Sequence, residues 1–409
     1  MRNTLALATL LTLISSTASA QEVTVTPSGE YLMRFRHVEG RDFAPGGIDN
    51  FVTHRARVGL KLDYQQSMSA FLQVQDVRRW GSESDTVNDF SANGLDLHQG
   101  YFDLSFCDDI RLRVGRQEIN YLNQRLIGSV GFSEQMRSFD AARLMIMALD
   151  RQLAIDLFYA RTGDAGAVPV NGIDDVFSLA AKYQIDNNLQ ASFLEVVDLG
   201  SQSKRVRSTT GLMFSAEYPF GLRASVEGYL QAGSQDGISG AEDNTLDIFA
   251  WAAAARLRFT LQGTGYDPFL ELFAQLLSGD DDVSADNGKL AAFDPLFGTN
   301  HKFYGEADLW QKMLPTQRGL LDLGGILGIN IEDTVLFQTT LHVFSAMAQQ
   351  APSTPSLYGA EVDFTLGIRA TDHFVFDVNY SLLIPGELLN GSDDRQLESF
   401  FYFTASASF

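Results

Sequence analysis

Charged and apolar residues alternate at every second position in stretch after stretch of this chain, which leaves few folds open. Over 52–63, Val52, Ala56, Val58, Leu60 and Leu62 share one parity, with His54 the one misfit, and Thr53, Arg55, Arg57, Gly59, Lys61 and Asp63 share the other. Over 358–369, Tyr358, Ala360, Val362, Phe364, Leu366 and Ile368 oppose Gly359, Glu361, Asp363, Thr365, Gly367 and Arg369. Successive side chains of a strand point to opposite faces, so such a strand has one apolar and one charged face. The pattern gives about 18 candidate strands, near 29–39, 51–63, 68–79, 95–106, 110–118, 139–149, 152–161, 174–186, 188–199, 206–218, 221–233, 245–260, 266–278, 318–331, 334–347, 357–370, 373–384 and 399–409. Most reach the roughly 9–11 residues that a tilted strand needs to cross a bilayer. A charge on the lipid face costs about 2–4 kcal/mol at the midplane, so the charged parities are expected to point inward. The expected fold is all-β, a transmembrane antiparallel up-and-down β-barrel of about 18 strands, closed so that no strand edge meets hydrocarbon. A soluble sandwich would not need a lipid-compatible face on nearly every strand.

The connectors alternate in length. Cys107-Asp108-Asp109, Asp150-Arg151, Asp186-Asn187, Pro219-Phe220, Glu332-Asp333 and Thr371-Asp372 are short, and Asp, Asn and Pro suit tight turns. Those near 40–50, 80–94, 119–138, 162–173, 234–244, 279–317 and 386–398 are long. Short periplasmic turns and longer external loops give this asymmetry, so 119–138 and 279–317 are expected to be extracellular.

The chain ends fit. Arg2, an apolar stretch from Leu5 to Ile14 and the sequence Ala18-Ser19-Ala20 read as a secretory signal peptide of residues 1–20, leaving 21–409 as the barrel. The formal net charge is −21, and losing Arg2 with the leader makes it −22. That balance disfavours nucleic acid as a partner. Cys107 is the one cysteine, so an internal disulfide is impossible. At the far end Phe401, Phe403, Ala405, Ala407 and Phe409 share one parity. An aromatic terminal residue on such a strand resembles the assembly signal of outer-membrane barrels, with Phe401, Phe403 and Phe409 as its carriers and the barrel-assembly machinery as a partner.

Projecting the alternation inward yields a basic set: Arg34, Arg36, Arg55, Arg57, Lys61, Arg111, Arg113, Arg143, Arg207, Arg223, Arg256, Arg258 and Arg369. Fewer acids share that wall, among them Asp63, Asp103, Asp156, Glu227, Glu271, Asp322, Glu361, Asp363 and Asp377. A barrel of this size is expected to hold a water-filled channel, and cationic rings favour anions. Guanidinium pairs with carboxylate in a bidentate manner, which suits a carboxylated sugar. Inward arginines can equally brace the wall through ion pairs, and both readings stay open at this level.

Residues 113–144, RVGRQEINYLNQRLIGSVGFSEQMRSFDAARL, and 293–310, FDPLFGTNHKFYGEADLW, resemble two motifs of the alginate-export porins. The resemblance implies an 18-stranded outer-membrane barrel that passes an anionic polysaccharide through an arginine-rich constriction. It carries over Arg116, Glu118, Arg125, Arg137, Asp140 and Arg143 as lumen or constriction residues. The alginate exporter of that family is associated with a long periplasmic loop that covers the pore. The turn Ala370-Thr371-Asp372 is too short for that, so a more open channel is expected, with alginate or another cargo.

The six histidines are scattered without metal-ligand spacing, and no hydrolase elbow or phosphate-binding loop is present. The expectation is therefore no enzyme, no cofactor and no metal. The expected partners are outer-membrane lipid and lipopolysaccharide, an anionic saccharide or small anions, and periplasmic export proteins. The chain is expected to act as a monomer in the outer membrane. A small-solute porin and a surface-binding barrel are the alternatives.

Overall fold

A computed structural model describes residues 23–40, 47–65, 67–82, 95–163, 172–236, 245–282, 287–309, 317–349, 355–389 and 397–409. The leader 1–20, Trp310, and much of the acidic runs 82–89, 235–243 and 391–394 lie outside these residues, as do residues 283–286 of the acidic run 280–286.

The strands are β1 (Val23–Glu39), β2 (Ile48–Tyr64), β3 (Met68–Arg79), β4 (Asp96–Cys107), β5 (Ile110–Gln117), β6 (Phe139–Ala148), β7 (Leu153–Arg161), β8 (Asp175–Gln184), β9 (Leu189–Gly200) and β10 (Arg205–Glu217). They continue as β11 (Leu222–Asp236), β12 (Thr245–Thr260), β13 (Pro268–Leu277), β14 (Lys289–Leu290), β15 (Leu320–Ile331), β16 (Val335–Ser345), β17 (Leu357–Arg369), β18 (Phe374–Pro385) and β19 (Glu398–Ser408). Each expected strand holds one of these except that β14 is extra, a two-residue segment that pairs parallel with β12. The other 18 form a closed antiparallel barrel in chain order. β19 returns to β1, Arg34 facing Thr404 and Phe35 facing Phe403. Beyond β19, the N–H of Phe409 donates to the Gly29 carbonyl at 3.0 Å, and Gly29 returns the bond at 3.1 Å.

The two parities separate as the sequence demands. Val58, Leu60, Leu62, Leu212, Phe214, Phe249, Leu257, Phe259, Leu270 and Leu272 are exposed on the outer surface, while Arg55, Arg57, Arg207, Glu227, Glu271 and Glu361 are buried inside. Closure leaves none of the 18 barrel strands with an unpaired edge, so the outer face offers lipid mainly side chains.

Some outward polar groups break the rule that charge points inward, and two of them, Glu195 and His54, find polar partners on adjacent strands. Glu195 on β9 faces out between Phe193 and Val197, and the hydroxyls of Ser208 and Thr210 on β10 both donate to it, Thr210 at 2.7 Å. Two hydrogen bonds to its oxygens offset part of the desolvation that an outward carboxylate would otherwise bear. His54, the misfit of its strand, stacks on Tyr31 with ring centres 5.8 Å apart and accepts the Trp80 indole N–H at 2.7 Å. Asp76 lies 3.6 Å from its ring and binds Arg78 at 2.8 Å. This cluster sits near the long-loop end, where polar groups return to the headgroup level.

The interior adds what alternation does not give. The described parts of the long connectors 119–138 and 279–317 fold into the barrel from the long-loop end. Ile119, Tyr121, Leu126 and Ile127 of the first, and Phe293, Leu296, Phe297, Phe303, Tyr304 and Leu309 of the second, are buried. They join wall residues Phe139, Phe158, Leu277 and Phe344 in one apolar cluster. Burying a large apolar side chain contributes about 1.5–3 kcal/mol, so ten such residues hold both segments inside. The tight turn before β18, where Ala370 N–H bonds the Phe374 carbonyl at 2.9 Å, leaves the other mouth uncovered as read from sequence. The channel is narrowed from the opposite end.

Candidate functional site: two inward loops and the arginines around them

The two loops meet edge to edge. Ile127 bridges Phe297 in parallel. Phe297 N–H donates to Leu126 O at 2.8 Å, Gly128 N–H to Phe297 O at 3.0 Å, and Thr299 N–H to Gln124 O at 2.9 Å. Short-range backbone pairing gives each loop one fixed partner surface.

Arg125 sits at the centre. Its side chain is about 2% exposed and touches both loops and two walls. It donates to Glu227 of β11 at 2.9 Å, to Gln275 of β13 at 2.8 Å and to the Tyr304 hydroxyl at 3.0 Å, with the Phe303 ring 4.1 Å away. Asn123 and Tyr229 complete the Glu227 carboxylate, each at 2.6 Å. Pairing and hydrogen bonds offset the cost of burying this charge, and every partner here belongs to one network.

Arg137 acts as a second tie. It donates to the Gly128 carbonyl at 3.2 Å and, more closely, to the Phe297 carbonyl. With no acid beside it, burial pushes this guanidinium down to about 10, still cationic at neutral pH.

A third contact joins the loops through His301, which stacks on Phe132 at 3.6 Å between centres. Asp308 lies 2.8 Å from one ring nitrogen and Glu306 2.8 Å from the other. Burial works against the charge, but the two carboxylates more than offset it, and the imidazole is pushed up to about 9. A folded pKa above the ordinary value of about 6.5 means the clip contributes fully below that pH and is lost as pH rises through about 9. Open-channel current noise is therefore expected to rise between pH 6.5 and 9 in the wild type and to be flat with pH in His301→Gln. A wild type with pH-independent noise would contradict the assignment.

The inward arginines of β1 and β2 are held by the first loop. Arg34, Arg55 and Arg57 are each about 5% exposed. Glu134 accepts from Arg34 at 3.0 Å, Arg36 at 2.6 Å and Thr53 at 2.9 Å. Arg55 reaches the Glu134 carbonyl at 3.0 Å and pairs with Glu30. Arg57 holds Gln75 at 2.9 Å and lies 3.7 Å from Glu118. Burial raises the Glu118 carboxyl, but His98, bonded at 2.7 Å, and Arg57 bring it below its ordinary value.

Elsewhere on the inner wall most arginines hold an acid. Arg113 pairs with Asp103 at 2.7 Å, Arg143 with Asp156 at 2.7 Å, and Arg207 with Asp198 at 2.8 Å and the loop residue Asp294 at 2.9 Å. Lys61 meets Asp63 at 2.8 Å. Toward the short-turn mouth, Arg223 binds Glu217 at 2.6 Å and Arg256 binds Glu271 at 2.7 Å, with Arg258 3.9 Å from Glu271. Arg111 and Arg369 are exposed and form no ion pair among the described residues.

Two motif residues do not lie in the lumen. Arg116 and Asp140 face each other across β5 and β6 on the outward parity. They pair at 3.2 Å with side-chain exposures of 35% and 66%. Their neighbours Gly115 and Ala141 point in, so the pleat turns both charges out.

Two site residues, Lys302 and Gly305, escaped the sequence reading, and a third, Glu361, was expected only as one of the inner-wall acids. Lys302 donates to Asn123 O at 3.1 Å, joining the loops. Glu361, buried on β17, accepts the Ala307 N–H at 2.9 Å and docks the second loop on the wall. Gly305 passes over that carboxylate at φ +86°, where a Cβ would lie 2.5 Å from a Glu361 oxygen, so only glycine fits. The quoted motif contained Gly305, but nothing in it pointed to a carboxylate some 50 residues on.

The family described as alginate export matches residues 27–162 and 175–312. No curated protein matches the chain. Among solved structures, OccK8 (OprE) of Pseudomonas aeruginosa is 10% identical, with TM-score 0.63 over 94% of this chain and 98% of that one. OccAB4 of Acinetobacter baumannii is 12% identical, with TM-score 0.62 over 95% and 99%. The outer membrane protein OprD of Pseudomonas aeruginosa is 10% identical, with TM-score 0.62 over 94% of each. Likeness at such identities speaks for the barrel fold alone.

Proposed function

The chain belongs to the alginate export family and is an outer-membrane β-barrel channel, and from that premise we propose that it passes anionic solutes, carboxylated saccharides foremost, by diffusion through a lumen lined by arginine. The observation that supports this reading is the division among the inward arginines. The deep ones carry their own counter-charges, while Arg111, Arg223, Arg256, Arg258 and Arg369 stay in reach of water. A guanidinium near the pore axis lowers the energy of a passing carboxylate, and the paired acids keep the binding weak enough for release.

A second reading, a channel for small anions, draws on the inward loops. With both docked inside the barrel, they narrow the channel, which favours small solutes over a polymer. The residues Phe401, Phe403 and Phe409 remain our candidates for the signal read by the assembly machinery.

Planar-bilayer recordings under a salt gradient test the proposal. The expected result is a reversal potential of anion-selective sign, with reversible block by an oligouronate and none by a neutral maltooligosaccharide. A cation-selective channel indifferent to the oligouronate would refute it.

A further inference from the structure

The short-turn mouth carries an arrangement that wall bracing does not explain. Arg223 on β11 and Arg258 on β12 stand directly opposite each other on the inner face. Like charges in that position destabilise a sheet. Glu217 answers Arg223, but Glu271 gives its close contact to Arg256 and stays 3.9 Å from Arg258. The Arg258 Nε is buried without a hydrogen-bond partner.

These cations are also held in place. The Arg258 guanidinium lies 3.5 Å over the Phe269 ring, and Arg256 lies 5.0 Å over Phe273. Both rings point inward and cover glycines of β15, Phe269 opposite Gly328 and Phe273 opposite Gly324. A Cβ on either glycine would meet ring atoms at 2.4 Å, so glycine is what lets the rings lie flat. Guanidinium over an aromatic face keeps its in-plane donors free for a ligand.

Two cavities of about 480 and 500 Å³ flank Arg258. Arg223, Arg256 and the amides of Gln184 and Gln190 border the first; Arg369 and Asn330 border the second. Each falls within the range of about 300–1,000 Å³ usual for small-ligand sites. Arginines for carboxylates beside amides for hydroxyls are the groups an acidic sugar needs. From Arg223 to Glu227 is four residues, about 13 Å along the strand, which brings the line to Arg125. Lys302 lies between: burial lowers its ammonium, and Arg256 and Arg125 lower it further, so the three cations feel one another.

We propose that this shelf is a binding site for a uronate chain end, with Arg258 shared between two sugar subsites that each take a carboxylate. Short turns mark the periplasmic end of outer-membrane barrels, so capture there loads cargo for export. The inference rests on the anion-channel reading and adds to it a place and a side.

Oriented bilayers with trigalacturonate added to one side at a time test it. Block of the wild type is expected at lower concentration from the short-turn side. Arg223→Gln with Arg258→Gln is expected to raise the half-blocking concentration on that side by roughly ten- to hundredfold, the worth of hydrogen bonds to a charged group. Glu217→Gln removes the competitor for Arg223 and is expected to lower it; this gain cannot arise from misfolding. Equal block from both sides in the wild type, or an unchanged value in the double variant, would overturn the shelf and leave the anion channel standing. A wild type that neither prefers anions nor is blocked from either side would end both.

Discussion

Arg125→Ala is expected to open the channel. The substitution strips Glu227 of its cation while leaving the carboxylate about 6% exposed. Breaking a buried pair from one side costs about 3–5 kcal/mol, largely from the charge left behind. The lost energy falls on the contacts that seat the loops, because Arg125 is where 119–138, Tyr304, β11 and β13 converge. The 18-stranded ladder does not depend on it. Single-channel conductance should rise by a factor of several while the heat-modifiable barrel persists. Adding Glu227→Gln should return much of the wild-type conductance, since the orphaned charge is then gone. Unchanged conductance in the single variant would show that the loops are seated by their apolar faces alone.

Glu134→Gln should increase anion preference. One carboxylate serves Arg34, Arg36 and Thr53, and its backbone carbonyl serves Arg55. Removing its charge frees a net positive cluster without deleting a cation. A unit charge about 8 Å from a passing ion, at an effective dielectric of about 40, is worth about 1 kcal/mol, roughly a fivefold change in permeability ratio. The effect should shrink as salt rises, because screening lengths fall to about 3 Å at 1 M. Reversal potentials at two salt concentrations measure both statements. A shift toward cations, or none, would place these arginines off the conduction path.

How legible this was in the sequence depends on the solvent each residue meets. Lipid outside and polar groups inside impose a period of two, so strands such as β2 and β17 could be read from alternation alone, and their neighbours followed. The inward loops have no such period. Their clue was content: Ile119, Leu126, Ile127, Phe293, Leu296 and Phe297 are too apolar for segments expected to stand in water. Arg116 shows the reverse error. Counting parity from Arg113 turns it outward, whereas the family motif implies the lumen, and the pleat decides. Partners such as Glu134 for Arg34, or Glu361 for Ala307, are brought together by closure over 100 and 54 positions, and no local pattern encodes them. His54 and Glu195 were exceptions to the alternation, each explained by polar neighbours on adjacent strands.

Both inward segments are tethered at both ends to the same rim. Cargo pushing from the short-turn mouth would lift them like flaps and break their attachments one at a time, whereas pressure from the far side would press them onto their seats. The same bonds thus resist unequally in the two directions, as in a check valve, with no strand having to part from its neighbour.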